Sequence, residues 1–141
     1  MENTKRLFGT SGVRGVVGKD LTFGILNNLG RAIATSLPPL SWIVIANDTR
    51  ESGAEVKNAV EQGLIAGGAR VLDVGMLPTP ALAYLTRNMG VNAGIMVTAS
   101  HNPPEYNGVK LFSPDGIGYS SEQEKDIEKI FFQRNLRNQP G

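Results

Sequence analysis

The sequence predicts an α/β domain. Short β-branched apolar runs occur at 42–45, 70–74 and 94–97, and the segments around them carry apolar residues at helical spacing. Capping or breaking residues stand where one pattern gives way to the other. Strand and helix therefore alternate, which argues for a sheet built on right-handed crossovers.

Each element has its own justification. Thr22 can cap a first helix whose Leu26, Leu29 and Ile33 form one stripe, ended by Pro38-Pro39. The first apolar strand follows at 42–45. Ser52 with Glu55 forms a capping-box pattern, and Val56, Ala59, Val60 and Leu64 recur at helical spacing until Gly67-Gly68. After the strand at 70–74, Thr79-Pro80 offers a cap and then a proline at the first helical position, with Gly90 beyond the end. The strand at 94–97 leads into a polar loop. Asn107-Gly108 reads as a tight turn and 109–112 as a returning strand. Ser121 with Glu124 opens a last helix carrying Ile127, Ile130 and Phe131.

Composition narrows the function. A chain of 141 residues has room for one domain with a real core. A net charge of +1 gives no general attraction to nucleic acid or to an anionic membrane. The absence of cysteine excludes disulfides and thiolate metal sites and fits a cytoplasmic protein. No apolar signal core follows Met-Glu-Asn-Thr-Lys-Arg, and no apolar run approaches membrane-spanning length. Residues 133–141 are polar and end in Pro-Gly, as a linker does. The expectation is a domain over 1–132 and a linker to further domains.

The most informative stretch is Thr98-Ala99-Ser100-His101-Asn102-Pro103-Pro104. It presents a hydroxyl, an imidazole and an amide in succession and then stiffens over two prolines, which fix φ and lack an N–H. Strand ends of this kind are where open α/β sheets hold ligands. The same residues are also ordinary turn formers. A Ser-His pair adjacent in sequence is no hydrolase signature, and there is no Gly-x-Ser-x-Gly elbow around Ser100. Physics alone delivers an exposed, well-held serine with cations nearby.

This loop resembles the phosphoserine loop of the α-D-phosphohexomutases, the phosphoglucomutase/phosphomannomutase family. Supporting motifs follow in order: Phe8-Gly9-Thr10-Ser11-Gly12-Val13-Arg14-Gly15 and Asp48-Thr49-Arg50-Glu51-Ser52-Gly53. Met76-Leu77-Pro78-Thr79-Pro80-Ala81, with Ala83-Tyr84-Leu85-Thr86-Arg87, is most similar to the phosphoglucosamine mutase branch. The resemblance implies the first of four domains, a three-layer α/β/α unit with a mixed four-stranded sheet. Domains II–IV of the same polypeptide would then be its partners, and phosphosugars its ligands.

The resemblance also implies roles. Ser100 carries a phosphoryl group and passes it to a hexose phosphate (glucosamine, mannose or glucose) through a hexose 1,6-bisphosphate, which also serves as activator. His101 orients the sugar hydroxyl or assists proton transfer, Lys110 and Arg14 meet phosphate, and Thr10 and Ser11 line the cleft. Arg50 supports the same substrate site, Asn102 holds the shape of the loop, and Asp48 reads as a turn residue rather than a base. Asn47 stands where many relatives carry a basic residue. Mg²⁺ is held by Ser100 through its phosphate and by aspartates of a domain with no counterpart here. By itself the domain is expected to be inactive. A rival reading is a non-catalytic phosphosugar or anion-binding module that uses Arg14, Arg50 and Lys110.

Overall fold

The computed structural model describes residues 8, 12–133 and 136. In chain order these form β1 (Val13–Val16), α1 (Phe23–Thr35), β2 (Trp42–Asn47), α2 (Gly53–Ala66), β3 (Arg70–Met76), α3 (Thr79–Asn88), β4 (Ala93–Val97), β5 (Tyr106–Phe112) and α4 (Ser121–Gln133). The strands make one mixed sheet of five in the order β1-β5-β4-β2-β3, not the expected four. β2 runs parallel to both β3 and β4, whereas β5 lies antiparallel to β4 and β1 antiparallel to β5.

The additional strand is β1. Its sequence, Val-Arg-Gly-Val, is short and sits among glycines, so locally it reads as loop. Pairing of Val13 with Val109 and of Val16 with Tyr106 makes it a strand, and that partner lies far along the chain.

Three crossovers join parallel strands: β1–α1–β2 and β2–α2–β3 run one way across the sheet, and β3–α3–β4 runs back. One right hand therefore places α1 and α2 on one face and α3 on the other. Residues of α1, α2 and α4 (Leu26, Leu29, Val56, Leu64, Ile127) share a core with Ile43, Ile45, Ile95, Val97, Val109 and Leu111. Leu82 of α3 packs with Val44, Ala46, Met96 and Phe112 on the other face. Alternation along β2 sends Ile43 and Ile45 one way and Val44 and Ala46 the other. The result is three layers, with α1 and α2 packed very closely. A Cβ on Gly63 would fall against the Asn27 carbonyl oxygen, so glycine is required there.

Helix starts follow the sequence in part. Thr22 Oγ1 accepts the Ile25 N–H at 3.2 Å, as expected. The Ser52–Glu55 box does not form: Ser52 caps nothing with its side chain, and its hydroxyl accepts from Asn107 Nδ2 at 2.8 Å. Thr79 is the first helical residue and Pro78 takes the cap position, so Thr79 is no cap. The last capping box sits one residue earlier than expected. The Gln123 N–H donates to Ser120 Oγ at 3.2 Å, and Gln123 Oε1 accepts the Ser120 N–H at 2.8 Å. Gln123 Nε2 also donates to Ser113 Oγ, which selects that register. Most of the expected linker lies outside the described residues, and Leu136 packs on the larger core. No described helix is long and apolar enough to cross a membrane.

Candidate active site at the ends of β2 and β4

β2 ends in Asn47 and continues into Asp48-Thr49-Arg50, while neighbouring β4 ends in Val97 and continues into Thr98-Ala99-Ser100. From these adjacent ends the chain departs on opposite sides, toward β3 and toward β5. Such a crevice is where open α/β sheets take ligands. An open depression of about 430 Å³ adjoins it, lined by Asp48, Thr49, Met76, Leu77 and Pro78.

Ser100 is exposed and adopts φ +51°, in the left-handed region. A residue with a Cβ pays roughly 1–2 kcal/mol there, so something must hold it. Its N–H donates to Thr98 Oγ1 at 3.0 Å and its carbonyl accepts from Arg50 Nη2 at 2.8 Å. Its Oγ accepts from Arg14 Nη2 at 3.1 Å. Every polar group of Ser100 is thus engaged, and Oγ still faces solvent.

Arg50 holds the whole loop. Besides Ser100, it donates to the carbonyls of Asn102 (2.7 Å), Pro103 (2.7 Å) and Tyr106 (3.0 Å). The planar guanidinium fork matches this set of converging carbonyls as an ammonium could not. Asp48 backs it, with Oδ1 accepting the Arg50 N–H at 3.2 Å and Oδ2 lying 3.7 Å from Arg50 Nε. Asn102 braces the far side, donating its N–H to the Ala99 carbonyl at 3.0 Å and accepting from Arg14 Nη1 at 3.0 Å.

The turn expected at Asn107-Gly108 is not there. The chain turns earlier, where the Tyr106 N–H donates to the Pro103 carbonyl at 3.0 Å, and Asn107 and Gly108 are buried inside β5. Glycine at 108 answers crowding, not a turn. A Cβ would meet the Val13 carbonyl oxygen, and it would lie 2.8 Å from Arg14 Cγ and 2.9 Å from the Thr98 carbonyl oxygen. Its absence lets the Arg14 stem cross from β1 toward Ser100.

Of the residues singled out in the sequence, Ser100, Arg14, Arg50 and Asn102 meet in one hydrogen-bonded cluster. His101 is exposed beside it and bonds to no other described residue. Lys110 stands apart, with its ammonium 5.4 Å from the Phe112 ring centroid, farther along β5. Thr10 and Ser11 lie outside the described residues. Asn47 is buried and donates to the Asp48 carbonyl at 2.9 Å, so it offers no contact to a ligand. Sequence reasoning placed Thr98 in the loop motif but gave it no role. Its position two residues before Ser100 is that of a hydroxyl turn and was the available signal.

Two guanidiniums reach Ser100, and one of them, Arg50, pairs with the Asp48 carboxylate at 3.7 Å. Among the described residues, the strongly raised carboxyl lies elsewhere. Burial, then a hydrogen bond with the Asp73 carboxylate, pushes Glu61 of α2 up to about 7. Asp73 is held below its usual value. Burial opposes this, but hydrogen bonds from Glu61, Lys57 (2.7 Å) and the Gly75 N–H outweigh it.

Residues 5–138 match the family described as phosphoglucomutase/phosphomannomutase, alpha/beta/alpha domain I. The chain is 45% identical over 127 residues to the phosphoglucosamine/phosphogalactosamine mutase of Sulfurisphaera tokodaii, covering 90% of this chain and 28% of that protein. It is 45% identical over 128 residues to the phosphoglucosamine mutase of Clostridium beijerinckii, covering 89% and 29%. A solved phosphoglucomutase/phosphomannomutase family protein from Burkholderia thailandensis superposes with a TM-score of 0.82 at 32% identity, over 96% of this chain and 31% of that one. The chain spans about 30% of the length of the curated relatives it matches. With nearly all of its length inside that match, the chain belongs to the phosphoglucomutase/phosphomannomutase family, as its alpha/beta/alpha domain I.

Proposed function

We propose that this chain is the phosphoryl-carrying first domain of a phosphohexomutase that moves phosphate between O1 and O6 of a hexose. Glucosamine phosphate is the first substrate to test, because relatives bearing the name phosphoglucosamine mutase are 41–45% identical. One observation carries the reading. Ser100 Oγ is exposed, rigidly presented at a strand's carboxyl end and bonded to the Arg14 guanidinium at 3.1 Å.

Phosphoryl transfer needs alignment and charge stabilisation more than covalent chemistry. In the first half-reaction the phosphoryl leaves Ser100 Oγ for the free hydroxyl of a sugar monophosphate. The P–Oγ bond breaks, a P–O bond to the sugar forms, and the hydroxyl proton departs on the His101 side. The product is a hexose 1,6-bisphosphate, which also serves to recharge a dephosphorylated serine. After the sugar turns end for end, Ser100 takes the other phosphoryl back. Arg14 meets the equatorial oxygens throughout. Lys110, whose ammonium meets the Phe112 ring and pairs with no carboxylate among the described residues, would offer it to a phosphoryl oxygen of the bound substrate.

Mg²⁺ fits only as a shared ion. Among the described residues no three of His, Cys, Asp and Glu cluster as a metal cage. This chain would contribute one ligand, a phosphate oxygen on Ser100, and the ion would add further charge neutralisation. The remaining ligands, and the other walls of the cleft, would come from domains II–IV, so the chain alone is inactive.

The test is made in the full-length polypeptide. Ser100→Ala lowers interconversion of glucosamine 1- and 6-phosphate by at least about a thousandfold, and mass spectrometry of the wild type places a phosphoryl group on Ser100. Turnover of the variant at the wild-type rate would overturn the proposal. Sugar phosphate binding without turnover or phosphorylation would favour the binding-module reading.

A further inference from the structure

We propose that Asp48 and Thr98 are positioning residues for Ser100. Together they form a relay that holds the Ser100 peptide N–H and maintains the left-handed turn from which Oγ is presented. The inference rests on Ser100 being the residue that carries the phosphoryl group.

Donor and acceptor chemistry sets the direction of the relay. The Ser100 N–H can only donate, and it points at Thr98 Oγ1 at 3.0 Å. A carboxylate can only accept. The Thr98 hydroxyl proton therefore goes to Asp48 Oδ2, at 2.7 Å. Thr98 is 5% exposed, so little water competes for either bond. The two ends of the relay are tied to the sheet: the Asp48 N–H donates to the Val97 carbonyl at 3.1 Å, and the Thr98 N–H to the Gly108 carbonyl at 3.0 Å.

Asp48 also governs the second attachment of Ser100. Its Oδ1 accepts the Arg50 N–H, and its Oδ2 lies 3.7 Å from Arg50 Nε. Arg50 in turn donates to the Ser100 carbonyl. One carboxylate thus stands behind both peptide groups that flank the Ser100 Cα. It reaches them only through Thr98 and Arg50 and makes no bond to Ser100 Oγ, so it is placed to orient the serine and not to take its proton. Aspartate is specifically required. Two donors arrive on two different oxygens, and an asparagine would turn an NH₂ toward one of them.

The consequence is kinetic. Transfer in line with Oγ depends on sub-ångström placement, and a shift of about 1 Å lowers a rate on the order of a hundredfold. Thr98→Val keeps the shape and removes the relay. In the full-length polypeptide it should lower kcat about 10–100-fold and leave KM within about twofold, with Thr98→Ser returning kcat to within about threefold. Asp48→Asn should fall on the same side as Thr98→Val.

A second measurement needs no catalysis. In the 141-residue chain, hydrogen exchange at the Ser100 amide should be slowed in the wild type and accelerated by Thr98→Val, with β4 amides unchanged. Wild-type kcat in Thr98→Val, a raised KM at constant kcat, or an unprotected Ser100 amide in the wild type would each overturn the relay. A wild-type full-length protein with neither mutase activity nor phosphoserine would instead defeat the reading on which it rests, and amide exchange would still test the geometry.

Discussion

Removing Arg50 is the most direct test of how the Ser100 loop is held. The side chain is 12% exposed and donates four hydrogen bonds to loop carbonyls. In Arg50→Ala, water replaces it at the exposed bonds to Ser100 and Pro103, which then contribute little. The bonds to Asn102 and Tyr106 are partly buried and worth about 1 kcal/mol each. Lost packing of the stem and a stranded Asp48 carboxylate bring the total to about 2–3 kcal/mol. At about 3–4 °C per kcal/mol for a chain of this size, the melting temperature should fall about 6–12 °C by circular dichroism. Arg50→Lys keeps the charge but loses the planar fork and should recover less than half of that fall. A fall below about 2 °C in Arg50→Ala, or full recovery in Arg50→Lys, would mean that Pro103 and Pro104 hold the loop and the fork does not.

Three further outcomes follow from particular contacts. The folded pKa of Glu61, about 7, lies above its ordinary value of 4.5. The folded state therefore binds the extra proton, and this stability is complete below about 4.5 and lost as pH rises through about 7. Because Glu61 is only half-buried, solvent screening limits the effect to about 1 kcal/mol. Glu61→Gln should melt higher than the wild type at pH 8 and match it near pH 4; equal melting at pH 8 would refute the assignment. Gly108→Ala places a methyl on the Val13 carbonyl and against Arg14 Cγ, so stability should drop by about 1–3 kcal/mol in urea unfolding. Gly63→Ala should also destabilise by about 1–3 kcal/mol. The clash is with the Asn27 backbone, which outweighs the gain of about 1 kcal/mol in helix propensity.

Much was legible in the sequence because its signals are local. Aliphatic runs at β2 and β4 and the helical stripes of α1 and α2 depend on neighbours a few residues away, and so does the Thr22 cap. The serine loop was legible for the same reason: its residue types announce a rigid turn at a strand's end. Beyond small shifts in where a helix begins, as at Thr79, what local pattern misjudged has its cause across the sheet. Val13–Val16 is a strand only through β5, and Gly108 is a glycine only because Arg14 and Val13 cross over it. Ser52 resembles a cap but spends its hydroxyl on Asn107. By itself the sequence determined the α/β class and the stiff turn that presents Ser100, and the role of that serine came from the family resemblance. The resemblance placed Arg14 and Arg50 in one site with Ser100, but only the tertiary structure decided how they reach it, Arg14 from β1 to the hydroxyl and Arg50 from the loop after β2 to the carbonyl. Hydrogen bonds to a left-handed turn require partners at fixed distances in space, and spacing along the chain does not encode them.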